Sequence, residues 1–108
     1  MITSQEIGKM KPTGFIVNTS RGGIVDENDL FNALAKGRLA GAAVDVFENE
    51  PYRGPLLKSE NTVLTAHMGS MTVDCRAQME IEATQEVIRF ATGKPLTSRV
   101  PESEFFGR

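Results

Sequence analysis

The sequence has few of the residues that form disulfides or bind metals. Among its 108 residues there is one cysteine, Cys75, and one histidine, His67. A single cysteine excludes an intramolecular disulfide and a zinc site made of several thiolates, and it is typical of a reducing compartment. One histidine with scattered carboxylates gives no metal-ligand spacing, so we expect no metal site. We interpret Cys75 as a packing residue.

An excess of positive charge and long apolar runs are also lacking. Twelve Lys and Arg residues stand against 14 Asp and Glu residues, a net charge of -2, which provides no basic surface for nucleic acid or an acidic membrane. No run approaches transmembrane length, and residues 1–11 lack the apolar core of a signal peptide. We therefore expect a cytoplasmic protein that binds neither nucleic acid nor membrane. Its 40% hydrophobic and 24% charged residues are typical of a globular domain.

The sequence alternates short apolar runs with amphipathic segments. Strands are predicted at 15–17, 39–47 and 62–66, helices at 3–11, 26–37 and 72–92, a loop at 48–59 and an extended tail at 96–108. The run at 15–17 lacks polar alternation, which predicts a strand buried on both faces. This order of elements predicts a parallel α/β sheet covered by helices.

Three polar stretches follow the predicted strands, at 19–23, 45–50 and 67–70. The carboxyl ends of parallel strands meet at one edge of a sheet, and ligands bind at that edge. The sequence therefore predicts that these stretches form a single site.

Four side chains in these stretches have functional and structural interpretations. Arg21 offers a planar fork for a carboxylate, or it is a surface arginine of a Gly-Gly turn. Of Asp45 and Glu50, one orients an imidazole and the other contacts a polar ligand, or both are solvated acids of a loop. His67 is the natural proton donor and acceptor near neutral pH, or a structural residue at a strand end. The residue types alone leave both interpretations open.

Longer motifs give the sequence a family resemblance. The runs are MKPTGFIVNTSRGGIVDENDLFNALAKGRLAGAAVDVFENEP and NTVLTAHMGSMT. They resemble the carboxyl-terminal half of the nucleotide-binding domain of D-isomer-specific 2-hydroxyacid dehydrogenases. The resemblance extends from about residue 3 to residue 100, and it implies the C-terminal half of a Rossmann-type doubly wound parallel sheet, with about three strands, helices and an extended tail.

The resemblance implies three catalytic residues. The arginine of the family's R-G-G motif, which binds the substrate's carboxylate and carbonyl oxygen, corresponds to Arg21. The glutamate before proline, which pairs with the catalytic histidine, corresponds to Glu50. The histidine that exchanges a proton with the substrate's C2 oxygen corresponds to His67. The resemblance also implies contacts with NAD, or with NADP, at Thr19, Ser20, Arg21, Asp45, His67, Gly69 and Ser70.

One family motif is absent from the sequence. Members carry a G-x-G-x-x-G turn, with an acidic residue beyond the next strand, that holds the pyrophosphate and ribose. No such turn occurs among the ten glycines. We expect residues 1–95 to be the C-terminal half of an NAD(P)-binding domain and residues 96–108 to begin the return to a substrate domain. We also expect the strand at 15–18 to lack a neighbour, which leaves an apolar edge.

The resemblance implies an oxidoreductase that transfers a hydride between NAD(P) and a D-2-hydroxy acid or 2-keto acid. We expect the fragment alone to be inactive and the longer parent to be a homodimer. An alternative is an NAD-sensing, corepressor-like binding protein of the same family, and a stand-alone interaction module is a further one.

Overall fold

The computed structural model describes residues 1–104. The chain divides into two compact units, Met1–Gly69 and Ser70–Arg108. Each unit is described by itself below. The predicted tail extends to residue 108, and its last four residues lie outside the described part of the chain.

The first unit is an open, parallel α/β sheet. Its strands are β1 (Phe15–Asn18), β2 (Gly41–Val44) and β3 (Thr62–Leu64), in the order β1-β2-β3, and each neighbouring pair is parallel. The helix α1 (Ser4–Ile7) precedes β1, and α2 (Glu27–Ala35) connects β1 to β2. This arrangement confirms the predicted α/β class.

Both helices of this unit begin at the polar residues that the sequence suggests. At α1 the Thr3 and Glu6 side chains form a capping box. At α2 the Asp26 carboxylate accepts the Asp29 backbone N–H at 2.9 Å, which satisfies a free donor of the first turn. The helix ends before Gly37, whose φ of 64° suits a residue without a Cβ.

The core lies against one face of the sheet. Ile16 of β1 and Ala42 and Val44 of β2 point toward Leu30 and Leu34 of α2, and all five are buried in one cluster. Other members of the cluster are Ile7, Val25, Ala33, Leu39, Phe47 and Leu56. Burial of these apolar side chains drives the folding of this unit.

The prediction that β1 is buried on both faces is wrong. Phe15 and Val17 are 67% and 69% exposed, and Val63 of β3 on the same face is 64% exposed. Within the first unit the core covers the other face alone, so β1 alternates between exposed and buried residues.

The second and third strands are shorter than their apolar runs predict. β2 ends at Val44. The Asp45 N–H still donates to the Asn18 carbonyl, but two residues later the Phe47 N–H donates to the Glu50 side chain. Past β3, the His67 N–H bonds the Asp45 carbonyl outside the strand ladder. The predicted loop at 48–59 also contains a 3-10 helix at Pro55–Lys58.

The second unit contains one long helix, α3 (Val73–Ala91), close to the predicted 72–92. The Thr72 hydroxyl caps its first turn by accepting the Cys75 N–H. No residue of α3 is buried and Cys75 is exposed, so the packing interpretation of this cysteine is wrong. A 3-10 helix follows at Glu102–Glu104. None of the helices described in residues 1–104 is both long and apolar enough to cross a membrane.

The uncovered face of β1 predicts self-association. Within residues 1–104, β1 pairs with β2 alone, so its outer edge and its exposed Phe15 and Val17 offer a template for another strand. We expect Val17→Lys to raise the concentration at which dimers form by about tenfold, measured by sedimentation velocity. Thr13→Lys, which adds the same charge before the strand, is the matched control. A wild-type chain that stays monomeric at high concentration would contradict this.

Candidate functional site

The candidate site lies at the carboxyl edge of the sheet. The strands end at Asn18, Val44 and Leu64, and because they are parallel the segments that follow them share this edge. Six of the seven predicted cofactor positions and all three predicted catalytic residues follow these strand ends. Ser70 begins the second unit and is described apart from them.

The His67 imidazole and the Glu50 carboxylate form a hydrogen-bonded pair at this edge. The imidazole Nδ1 lies 3.0 Å from Oε2 and 3.2 Å from Oε1 of the carboxylate. The two side chains are 46% and 39% exposed, so a small molecule reaches them from solvent. Because Glu50 occupies Nδ1, the Nε2 of the ring is left for proton exchange.

Backbone groups hold this pair in place. The Phe47 N–H donates to Glu50 Oε1 at 3.0 Å, and this bond is the main reason that the pKa of Glu50 lies below its usual value, with the bond to His67 second. Glu50 is therefore a carboxylate at neutral pH. His67 has a φ of 54°, a left-handed conformation that is uncommon for a residue with a side chain, and its N–H donates to the Asp45 carbonyl at 2.7 Å.

Asp45 supports the backbone around His67. Its carboxylate is buried and accepts hydrogen bonds from the Thr65 hydroxyl, the Met68 N–H at 2.7 Å and the Gly69 N–H at 2.9 Å. These donors, the Thr65 hydroxyl foremost, hold the pKa of Asp45 below its usual value against the opposing effect of burial. The donors come from both sides of His67 in sequence, so one carboxylate fixes the whole turn. A contact between Asp45 and a cofactor stays a prediction.

The turn that carries Arg21 is held by the side chain of Asn18. The Asn18 Oδ1 accepts the Ser20 N–H at 3.2 Å, and its Nδ2 donates to the Arg21 carbonyl at 3.0 Å. The Arg21 guanidinium is exposed and donates to the Ser20 carbonyl at 2.6 Å. Thr19 is exposed beside it. Among the described residues no salt bridge joins this guanidinium to Glu50, whose carboxylate contacts His67 instead.

Sequence reasoning missed two residues of the site, Asn18 and Phe47. Asn18 is one of the two buried polar residues in the described chain, together with Asp45. An asparagine at a strand end, four residues before the first glycine of a Gly-Gly turn, is a signal for a side chain that bonds its own backbone. Phe47 acts through its backbone, and its residue type gives no such signal.

An open cavity of about 590 Å³ adjoins the pair formed by His67 and Glu50. Its wall is mostly apolar: Phe47 and Tyr52 stack with ring centroids 4.1 Å apart, and the wall also includes Pro51, Leu57, Leu64 and Ala66. His67, Glu50 and Thr65 add polar groups to the lining. In the part of the chain that the structure describes, no cluster of three His, Cys, Asp or Glu side chains is arranged to hold a metal ion.

A family model decides the identification. The model for the D-isomer specific 2-hydroxyacid dehydrogenase, NAD binding domain, matches residues 1–69. The chain belongs to this family. The predicted Rossmann-type half-sheet of a D-2-hydroxyacid dehydrogenase is thereby confirmed.

Individual relatives agree with the family model. The chain is 45% identical over 95 residues to the glyoxylate reductase of Thermococcus litoralis, covering 87% of this chain and 29% of that protein. It is 36% identical over 101 residues to the D-3-phosphoglycerate dehydrogenase of Synechocystis sp., and the match covers 93% of this chain and 18% of that protein. One similar solved structure is that of the NADPH-dependent glyoxylate/hydroxypyruvate reductase of Sinorhizobium meliloti in complex with NADP and malonate. It matches with a TM-score of 0.84 at 32% identity, and the match covers 94% of this chain and 32% of that one. The chain thus spans a third or less of each of these D-2-hydroxyacid dehydrogenases.

The residues present fit one end of a nicotinamide dinucleotide. Thr19 and Ser20 expose hydroxyl groups at the carboxyl edge, where parallel sheets bind such ligands. Gly69 lies against the Asp45 carboxylate, where an added Cβ would come within 3.3 Å. The 108 residues contain no G-x-G-x-x-G turn for the pyrophosphate. The turn that holds the pyrophosphate in the family is thus not among these residues, and their own contacts with a cofactor stay predictions.

Asp45 makes stability depend on pH. Its pKa lies below the ordinary value of 3.8 in the folded chain, so its stabilising contribution is complete above that pH and is lost as pH falls through the folded pKa. We expect Asp45→Asn to lower the folding equilibrium constant about tenfold at pH 7, because an amide group then faces backbone donors. The variant should also lose less stability than wild type on acidification. Urea unfolding at pH 7 and below 4 measures both effects.

The matched control for this variant is Glu48→Gln, which removes the same charge from an exposed residue of the following loop. It should leave the urea midpoint at pH 7 close to wild type. Equal midpoints for the Asp45 and Glu48 variants would refute the role of the Asp45 carboxylate in holding the turn.

Proposed function

We propose that this chain supplies the acid–base and carboxylate-binding residues of an NAD(P)-dependent D-2-hydroxyacid dehydrogenase. The observation that supports the proposal most is the hydrogen-bonded contact between His67 Nδ1 and Glu50, at the sheet edge that also carries the Arg21 turn. A hydroxy acid and its keto acid differ by two electrons and two protons, and the site has a group suited to exchange a proton at the C2 oxygen.

His67 is the proposed proton donor and acceptor. In keto acid reduction its Nε2 gives a proton to the C2 oxygen, and in hydroxy acid oxidation the neutral ring takes that proton back. Glu50, bonded to Nδ1, keeps the ring in one orientation and compensates the charge when Nε2 is protonated. The nicotinamide, when bound, accepts or supplies the hydride at C2.

Arg21 is the proposed substrate anchor. Its guanidinium matches a carboxylate in a planar, two-point arrangement, and its exposure leaves it free to do so. The related Sinorhizobium protein was crystallised with malonate, a dicarboxylate, which agrees with an anion-binding subsite in that protein. Anchoring the carboxylate orients C2 toward the cofactor and toward His67, an effect on rate through positioning.

The assignment extends to a longer protein. The reductases and the dehydrogenase above are about three to six times as long as the stretch that they share with this chain. We propose a 2-hydroxy or 2-keto acid as the substrate and NAD or NADP as the cofactor. The homodimer, the regulatory alternative and a cytoplasmic location stay predictions. We expect the 108-residue polypeptide alone neither to bind NADH tightly nor to turn over keto acids.

A chimera tests the proposal. The matched segment of the Thermococcus litoralis glyoxylate reductase is replaced by this chain, and NAD(P)H-dependent reduction of glyoxylate is followed by absorbance. We expect activity, and a loss of about a hundredfold or more in kcat/KM for either Arg21→Gln or His67→Gln. Glu60→Gln, an exposed residue before β3, should leave kcat/KM unchanged. A folded, active chimera that is indifferent to both substitutions would sink the assignment.

A further inference from the structure

We infer that Asn18 is the positioning residue for Arg21, and that its side chain fixes the backbone from which the guanidinium extends. The inference rests on the proposed function of Arg21 as the carboxylate anchor. It concerns a residue to which neither the motifs nor the comparisons give a role.

Asn18 bridges the Arg21 turn with both ends of its amide. The Oδ1 accepts the N–H of Ser20 and the Nδ2 donates to the carbonyl of Arg21, at 3.2 and 3.0 Å. The backbone carbonyl of Asn18 accepts the Asp45 N–H at 2.9 Å, which ties the same residue to the end of β2. The side chain is buried, with 6% of the residue exposed. Asn18 therefore fixes the position of the turn relative to the sheet.

The chemistry of this bridge requires an amide. It needs one acceptor and one donor on a short side chain, and asparagine provides both. Aspartate at neutral pH provides the acceptor alone, and a carboxylate oxygen would then face the Arg21 carbonyl. Because an unpaired buried amide is costly, the bridged form of the turn is strongly favoured over open forms.

A second contact fixes the turn from the side of β2. A Cβ added at Gly22 would lie 2.1 Å from the Phe47 carbonyl oxygen, so the turn passes directly over that peptide and only glycine fits. The Phe47 N–H is the donor that holds Glu50. Phe47 therefore contacts both the Arg21 turn and Glu50, the partner of His67. These contacts fix the position of Arg21 relative to the pair formed by Glu50 and His67.

This rigidity matters because arginine has a long and flexible side chain. The Arg21 guanidinium is exposed, and its bond within the turn is to the carbonyl of Ser20. Two-point binding of a carboxylate loses affinity when the backbone that carries the guanidinium is mobile, since that motion must be arrested on binding. The amide of Asn18 removes this cost in advance.

The test uses the ¹⁵N-labelled 108-residue chain. The probe is oxalate, a small dianion made of two directly bonded carboxylate groups, either of which Arg21 can bind. Asn18→Ala should shift the amide signals of Ser20 and Arg21 and lower their order parameters below about 0.6. It should weaken oxalate binding about tenfold. Ile16→Val, on the same buried face of β1, is the matched control and should change neither readout.

The outcomes separate this inference from the proposed function. Unchanged Ser20 and Arg21 signals in Asn18→Ala, or unchanged oxalate affinity where wild type binds it, would overturn the role of Asn18. If the isolated wild-type chain does not bind oxalate, the anchoring role of Arg21 is decided by the chimera, and the amide signals alone decide whether Asn18 orders the turn. If Asn18→Ala does not fold, Asn18→Asp replaces it. We then expect the Arg21 signals to move while the Ser20 bond is kept, and unmoved Arg21 signals overturn the inference.

Discussion

The carboxylate of Asp45 is buried at the end of β2 and accepts hydrogen bonds from Thr65, Met68 and Gly69. A buried carboxylate is tolerable when its oxygens are satisfied in this way, and the need to satisfy them draws the segment after β3 onto the end of β2. His67 lies inside that segment, in a left-handed conformation that the surrounding bonds impose. The orientation of the imidazole toward Glu50 follows from this constraint.

The site is built from backbone as much as from side chains. Phe47 contributes its N–H to Glu50 and its carbonyl to the close passage of Gly22, while its ring stacks on Tyr52 in the cavity wall. Asn18 performs the corresponding task for the first strand. The exposed Arg21 and His67 thus extend from segments that follow strand ends. Hydrogen bonds to the side chains of Asn18 and Asp45 hold the backbone of these two segments in place. Such preorganisation allows an exposed site to keep a defined geometry.

Much of this could be predicted from the sequence, because the relevant signals are local. Asp26 and Gly37 mark the limits of α2 through capping chemistry, and the order of apolar runs predicts the parallel sheet. The lengths of β2 and β3 could not be predicted, since apolar residues such as Val46 are buried without joining the strand ladder. The exposure of Val17 was also missed, because a short apolar run does not reveal which face is covered. The motifs named the residues of the site, but not the bridge made by Asn18.

In the proposed site Glu50 holds the imidazole of His67 by Nδ1 and leaves Nε2 for proton exchange. The chain has a single histidine, so its imidazole nitrogen spectrum is free of overlap. A long-range ¹H–¹⁵N correlation spectrum of the neutral ring reports which nitrogen carries the proton. We predict that the neutral ring of the wild-type chain is protonated at Nδ1. In Glu50→Gln this tautomer should no longer dominate, because the carboxylate that accepts the Nδ1 proton is gone. A ring protonated mainly at Nε2 in the wild-type chain, unchanged in the variant, would contradict the account.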